Sequence, residues 1–185
     1  MIMDDLSPIL ANYSELVSRV DAHVERVNTL YIDQIACEAG CDSCCRFLSL
    51  FPVEAFALAR AYAQAAPMQQ ARIMDAVADN PQDREDAPCP LLFENRCLLY
   101  QARPIICRTH GYPLLINKDG EPRVDFCPKN FKGAWDLSRE ALLDLDQLNT
   151  TLLAVNQHFL SQIETDPPLP ERIPVSQALF LLVEE

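Results

Sequence analysis

The stretch CEAGCDSCC, residues 37–45, packs four of the chain's eight cysteines into nine positions. Thiols at that density restrict the local fold to a cross-linked knot, a metal-binding knuckle or a reactive cluster. A free core cysteine accounts for any one of the eight, but not for four in one short loop. The compartment helps to choose. The amino-terminal MIMDDLSPIL opens on acids and lacks a basic region, an apolar core and a small-residue cleavage site, so it does not read as a signal peptide. The longest late apolar run, ALFLLV at 178–183, is far short of the roughly 18 residues needed to cross a bilayer. A cytoplasmic protein without membrane attachment is therefore expected, and a reducing compartment favours metal or redox use of thiols over a disulfide framework. Adjacent Cys44 and Cys45 weigh further against cross-linking, because a bridge between neighbours strains their shared peptide.

The formal net charge of −12 is unevenly spread. Residues 1–36 carry six acids against Arg19 and Arg26, and residues 133–185 carry nine acids against Arg139 and Arg172. The cysteine-bearing middle, 37–132, is close to neutral, with twelve acids and eleven bases. No basic surface offers itself to phosphates, so nucleic acid is not an expected partner. The acidic flanks read as solvated helix faces, and the partner expected is an unknown protein or redox partner.

A length of 185 residues suits one domain able to bury a core. Apolar residues recur every three or four positions over 6–35, which predicts one long amphipathic helix with Ser7 as N-cap and Pro8 as its first residue. PVEAFALARAYAQAA (52–66) and PMQQARIMDAVA (67–78) predict two more helices, and DNPQDREDAP (79–88) an exposed loop. In the next section PLLF, CLLY and RPIICR are short apolar runs, expected as short strands and irregular backbone. YPLLINKDGEPRVDFC (112–127) predicts a β-hairpin about a Lys-Asp-Gly turn. Helical spacing resumes beyond Gly133 and ends at the proline-rich TDPPLPERIP. The expected fold is mainly α: a single domain, 1–185, with a helix over 1–36, a small irregular cysteine core with a short hairpin over 37–132, and a helix and tail over 133–185.

The first cysteine cluster is Cys37-x3-Cys41-x2-Cys44-Cys45, and the second set is Cys89, Cys97, Cys107 and Cys127. A thiolate-bound metal needs three or four converging sulfurs, and a two-residue gap lets one tight turn, helped by Gly40, present two of them. Both a four-thiolate zinc site and an oxidised four-iron cluster carry a net charge of −2, so each calls for nearby donors. Arg46, Arg96, Arg103 and Arg108 lie beside the cysteines, where pairing with surface acids is the plainer alternative. Cys-x3-Cys-x2-Cys is also the radical S-adenosylmethionine signature, but Ser43 stands where an aromatic is usual, a fourth cysteine follows at once, and no strand precedes the loop. Phosphate loops, H-E-x-x-H and G-x-S-x-G are missing. His110 is a candidate ligand, proton carrier or partner of a Cys107 nucleophile, with a structural role equally open, whereas His23 and His158 read as structural.

Taken together, CEAGCDSCCRF, PCPLLFENRCLLYQARPIICR and a later CP resemble the YkgJ-type or CxxCxxCC cysteine-cluster family of zinc- or iron-chelating proteins, over about 37–128. The resemblance implies an eight-cysteine domain that binds a metal centre, often an iron–sulfur cluster, with Cys37, Cys41, Cys44, Cys45, Cys89, Cys97, Cys107 and Cys127 in the family positions. Flagellin lysine methylase is similar in this motif, which implies a possible protein-modifying enzyme using S-adenosylmethionine. Three functions follow as expectations: an iron–sulfur protein with a redox or unassigned enzymatic role, a structural zinc (Zn2+) interaction module, or such an enzyme.

Overall fold

The structure is a computed structural model, and it describes residues 6–37, 40–79, 87–132 and 137–182. Most of the loop expected at 79–88 lies outside those residues. Helices α1 (Leu6–Ile9), α2 (Ala11–Leu30), α3 (Pro52–Ala63), α4 (Pro67–Asp79), α5 (Ile105–Thr109), α6 (Leu145–Leu160) and α7 (Val175–Ala178) dominate. Strands β1 (Ser49–Leu50), β2 (Leu92–Phe93), β3 (Arg96–Cys97), β4 (Leu114–Lys118), β5 (Glu121–Asp125), β6 (Leu143–Asp144) and β7 (Ile173–Pro174) make small sheets ordered β1-β7, β2-β3 and β5-β4-β6. Among the described residues no helix is long and apolar enough to cross a membrane.

The amphipathic stretch at 6–35 is divided rather than continuous. Leu10 (φ −86°, ψ 2°) separates α1 from α2, although its N–H still reaches Leu6 and its carbonyl still accepts from Ser14. Ser7 is already helical and is not a cap; its hydroxyl accepts from Arg60 instead, at 3.2 Å. At the far end Tyr31 leaves the helix because tertiary contacts outweigh propensity. Its ring meets Phe131 edge-on at 5.7 Å, its hydroxyl accepts from the Ser138 N–H, and a 3-10 turn, Ile32–Gln34, follows. The apolar stripe of α2, Tyr13, Leu16 and Val20, packs on Val53, Phe56, Ile105, Leu148 and Phe159. Two residues beside that stripe, Asp21 and Asn28, are two helical turns apart and grip the cysteine-bearing segments described below.

The second and third helices form as expected, Pro52 opening α3 where its missing N–H costs nothing. Helix α3 stops at Ala63, where the Gln70 amide donates to the carbonyls of Tyr62 and Ala63. The hairpin also stands: β4 and β5 pair antiparallel around Asp119 (φ 56°) and Gly120 (φ 83°), the left-handed pair that a tight two-residue turn requires. A second such turn, Glu94 (φ 47°) and Asn95 (φ 60°), joins β2 to β3.

Three further expectations need correction. RPIICR is neither strand nor irregular: residues 105–109 form α5, because Pro104 presets the entry and the Arg108 side chain is anchored from below. The last long helix starts at Leu145 rather than just after Gly133; Asp144 caps it by accepting the Gln147 N–H at 2.9 Å, and Leu143 is drawn onto β4 as a parallel strand. The proline-rich tail does more than end a helix, since Ile173 and Pro174 pair antiparallel with Leu50 and Ser49.

Glu54 joins these parts. It is only 4 % exposed, and its carboxylate accepts the Phe51 N–H at 3.3 Å and the Ile105 N–H at 3.0 Å, fastening the start of α5 to the start of α3. Burial raises its pKa above 4.5, outweighing the two N–H donors and Arg172. Glu54→Ala leaves both N–H groups without their carboxylate, and urea unfolding should show a loss of about 2–4 kcal/mol. The raised pKa gives a stability contribution fully present below pH 4.5 and lost as pH rises through the folded value. Glu54→Gln should flatten that slope.

Candidate metal centre

The segment leading into β1 turns tightly at its cysteines. Gly40 takes φ 101°, the Cys45 N–H bonds the Asp42 carbonyl at 2.8 Å, and the Arg46 N–H bonds that of Cys44 at 2.9 Å. Beyond the turn the chain pairs with the second cysteine set. The Cys45 carbonyl accepts the Cys89 N–H at 3.0 Å, Arg46 bridges to Pro88, and the Phe47 N–H bonds the Ala87 carbonyl. The β2–β3 hairpin then places Cys97 opposite Leu92, and α5 carries Cys107. Cys45 interacts electrostatically with its neighbour Cys44 and with Cys89 and Cys97, and Cys107 with Cys89, Cys97 and Cys45. These four half-buried thiols form an inner group, with Cys89 and Cys97 packed on the apolar cluster of Leu91 and Leu99.

Burial, reinforced by the neighbouring thiols, pushes Cys45 and Cys107 up to about 12; burial likewise pushes Cys89 up to about 11. Backbone donors oppose it: the Leu91 N–H donates to Cys89 and the Leu99 N–H to Cys97, each from two residues on. Arg103 also favours the charged forms of Cys97 and Cys107. Its guanidinium lies 3.6 Å from the centre of the Tyr100 ring, and its Nε is buried with no hydrogen-bond partner among the described residues. The protons on these thiols must leave when a cation binds.

Cys37, Cys41, Cys44 and Cys127 form an outer group. Cys37 interacts with the other three, and burial together with those thiols raises its pKa. Asn130 frames this group from within, being only 1 % exposed. Its Oδ1 accepts the Ala36 N–H and its Nδ2 donates to the Gly111 carbonyl, both at 2.9 Å, while its own N–H bonds the Cys127 carbonyl. Gly111 (φ 92°) lies so close that a Cβ there would stand 3.3 Å from the Cβ of Cys127. On the open side the Lys129 ammonium donates to the Cys41 sulfur at 3.4 Å and to the Ser43 hydroxyl at 3.2 Å. That ammonium, first, with Ser43 assisting, lowers the Cys41 pKa against burial. Tyr112 interacts with Cys37 on one side and Arg103 on the other, and its hydroxyl donates to Asn28 at 2.8 Å.

The thiols are gathered, yet among the described residues no three Cys, His, Asp or Glu side chains meet the geometry of a closed metal cage. Of the flanking arginines, Arg108 serves the fold. Its Nη1 donates to both carboxylate oxygens of Asp21, at 2.8 and 2.7 Å, and its other nitrogens donate to the carbonyls of Arg103 and Gln101. Arg46, Arg96 and His110 are exposed.

The family model for the CxxCxxCC domain, described as a "putative zinc- or iron-chelating domain", matches residues 36–128, half of the chain and all eight cysteines. The chain belongs to this family. Neither the curated proteins nor the solved structures include a significant match to it. Sequence reasoning passed over three residues that shape this CxxCxxCC segment: Lys129, Asn130 and Tyr112. Lys129 and Asn130 directly follow Cys127-Pro128, which was the available hint; nothing marks Tyr112 before the fold is known.

Two outcomes follow. Lys129→Met removes the cation that lowers Cys41, so in metal-stripped protein at pH 7.5 the alkylation of Cys41 by iodoacetamide should slow several-fold. Asn130→Ala removes the side-chain partners of Ala36 and Gly111, and should cost about 2–4 kcal/mol in chemical unfolding.

Proposed function

We propose that this chain holds an iron–sulfur cluster of the four-iron type through its clustered cysteines, in a small irregular core flanked by helices, and serves a redox or enzymatic role. The observation that carries this reading is the gathering of thiols from separated segments together with donors suited to charged sulfur. Eight soft sulfurs suit iron–sulfur or zinc rather than hard cations. A cluster with four thiolates is anionic and needs N–H donors and positive charge around its sulfurs. The N–H groups of Leu91, Leu99 and Ser43, the guanidinium of Arg103 and the ammonium of Lys129 lie beside them. The unpartnered Nε of Arg103 is a buried donor with unused capacity at that place.

In this reading the four ligands of a cluster come from among Cys37, Cys41, Cys44, Cys45, Cys89, Cys97, Cys107 and Cys127. When bound, the cluster would supply one-electron chemistry. The chain's own part is to ligate it, to tune it by N–H donation to sulfur, and to keep water from the inner thiols. A partner that exchanges electrons and a reducing, cytoplasmic location fit that role. Structural zinc is the alternative, since tetrahedral thiolate sites use the same donors. Use of S-adenosylmethionine is disfavoured, because Cys127 interacts with Cys37 and offers a fourth sulfur where such a cluster needs an open iron.

Oxygen-free purification followed by absorption spectroscopy and metal analysis decides among these. Brown protein with iron and acid-labile sulfide is expected; colourless protein with stoichiometric zinc would overturn the cluster in favour of the zinc module. Replacing Cys37, Cys41 or Cys44 with serine should lower the metal content and the melting temperature together, because metal binding stabilises the fold.

A further inference from the structure

We infer that the eight cysteines build two separate four-thiolate centres that meet at one peptide bond: an inner centre from Cys45, Cys89, Cys97 and Cys107, and an outer, exchangeable centre from Cys37, Cys41, Cys44 and Cys127. This rests on the metal-binding reading above and goes beyond it in number, membership and behaviour. A closed thiolate site takes four sulfurs, so eight make either two sites or one site with four spares.

Each group has its own scaffold. The inner one is held by the backbone pairing of Cys45 with Cys89, by the β2–β3 hairpin and by α5. The outer one is held by the single side chain of Asn130, which ties the residue before Cys37 to the turn that follows Cys127, with Gly111 pressed against Cys127. Each also has its own cation. Arg103 influences Cys97 and Cys107, whereas Lys129 contacts Cys41. Spare thiols have no reason to collect into a second group of four with a cation and a backbone frame of its own. The adjacent Cys44 and Cys45 touch each other where the groups meet: Cys44 also interacts with Cys37, and Cys45 also interacts with Cys89 and Cys97.

The two centres differ in access. Cys37 and Cys44 are exposed, as is Lys129, while Cys41 and Cys127 are half-buried, so a chelator can reach two of the four outer sulfurs directly. The inner thiols are half-buried, two of them against the Leu91 and Leu99 cluster, so removal of their metal requires that packing to open. The outer centre therefore exchanges first.

The test begins with the intact metal-loaded protein. A timed challenge with a chelator and N-ethylmaleimide, followed by peptide mapping, should label Cys37, Cys41, Cys44 and Cys127 in a first phase that releases half of the metal. Cys45, Cys89, Cys97 and Cys107 should react only in a second phase. Native mass spectrometry of the variant with both Cys41→Ser and Cys127→Ser should find half of the metal mass in a single occupied state. Labelling of all eight cysteines in one phase, or complete loss of metal from that variant, would overturn the division, as would metal-loaded protein that holds only one centre's worth. Protein that takes up neither iron nor zinc at all would instead defeat the metal-binding reading itself.

Discussion

A buried guanidinium must find several acceptors at once, and Arg108 does so in a way that organises the middle of the chain. Its donors reach Asp21 on α2 and the carbonyls of Gln101 and Arg103 in the loop before α5. One side chain thus fixes the long helix, the loop that carries Arg103 and the helix that carries Cys107. Removing Asp21 would leave a charge in a place 94 % shielded from water, so the three parts hold one another by the cost of separating them. Glu54 repeats the device from the other side, satisfying the first N–H of α5 with a carboxylate from α3. The thiols need such anchoring because they contribute little packing of their own.

Cys41 meets electrostatics opposite to those that act on Cys37 and on the inner thiols. Inner thiols are pushed up chiefly by desolvation, whereas Cys41, in the open, is pulled down by an ammonium. Burial of the inner thiols and the Lys129 ammonium beside Cys41, rather than sequence spacing, set this difference. Reactivity toward electrophiles in the absence of metal should therefore concentrate at Cys41.

Much of this was legible in the sequence. The 3.6-residue rhythm located α2; proline starts and helix-forming composition located α3 and α4; Asp119-Gly120 located a hairpin; the combined cysteine motifs located the domain that the family model matches. What escaped was the result of long-range contact. Five residues around Cys107 are helical because Arg108 and Glu54 hold them so, and 137–144 leaves the helical pattern because β4 offers Leu143 a backbone partner. The approach of Cys45 to Cys89 depends on the backbone pairing of those two residues, which periodicity does not encode. Nor does a lone Asn announce itself, since its importance lies in three chain segments that only the fold brings together.

That asparagine has a further consequence. Besides its backbone bond to Cys127, Asn130 joins Ala36 and Gly111 by a neutral side-chain amide, a group with no proton to lose or gain across the range in which thiols ionise. A carboxylate or imidazole in its place would loosen or tighten as the surrounding charge changed. With an amide, the distance between the start of the loop and the turn at its far end is set independently of the charge on the sulfurs between them. The outer loop is thus a frame whose dimensions stay constant while its contents change charge.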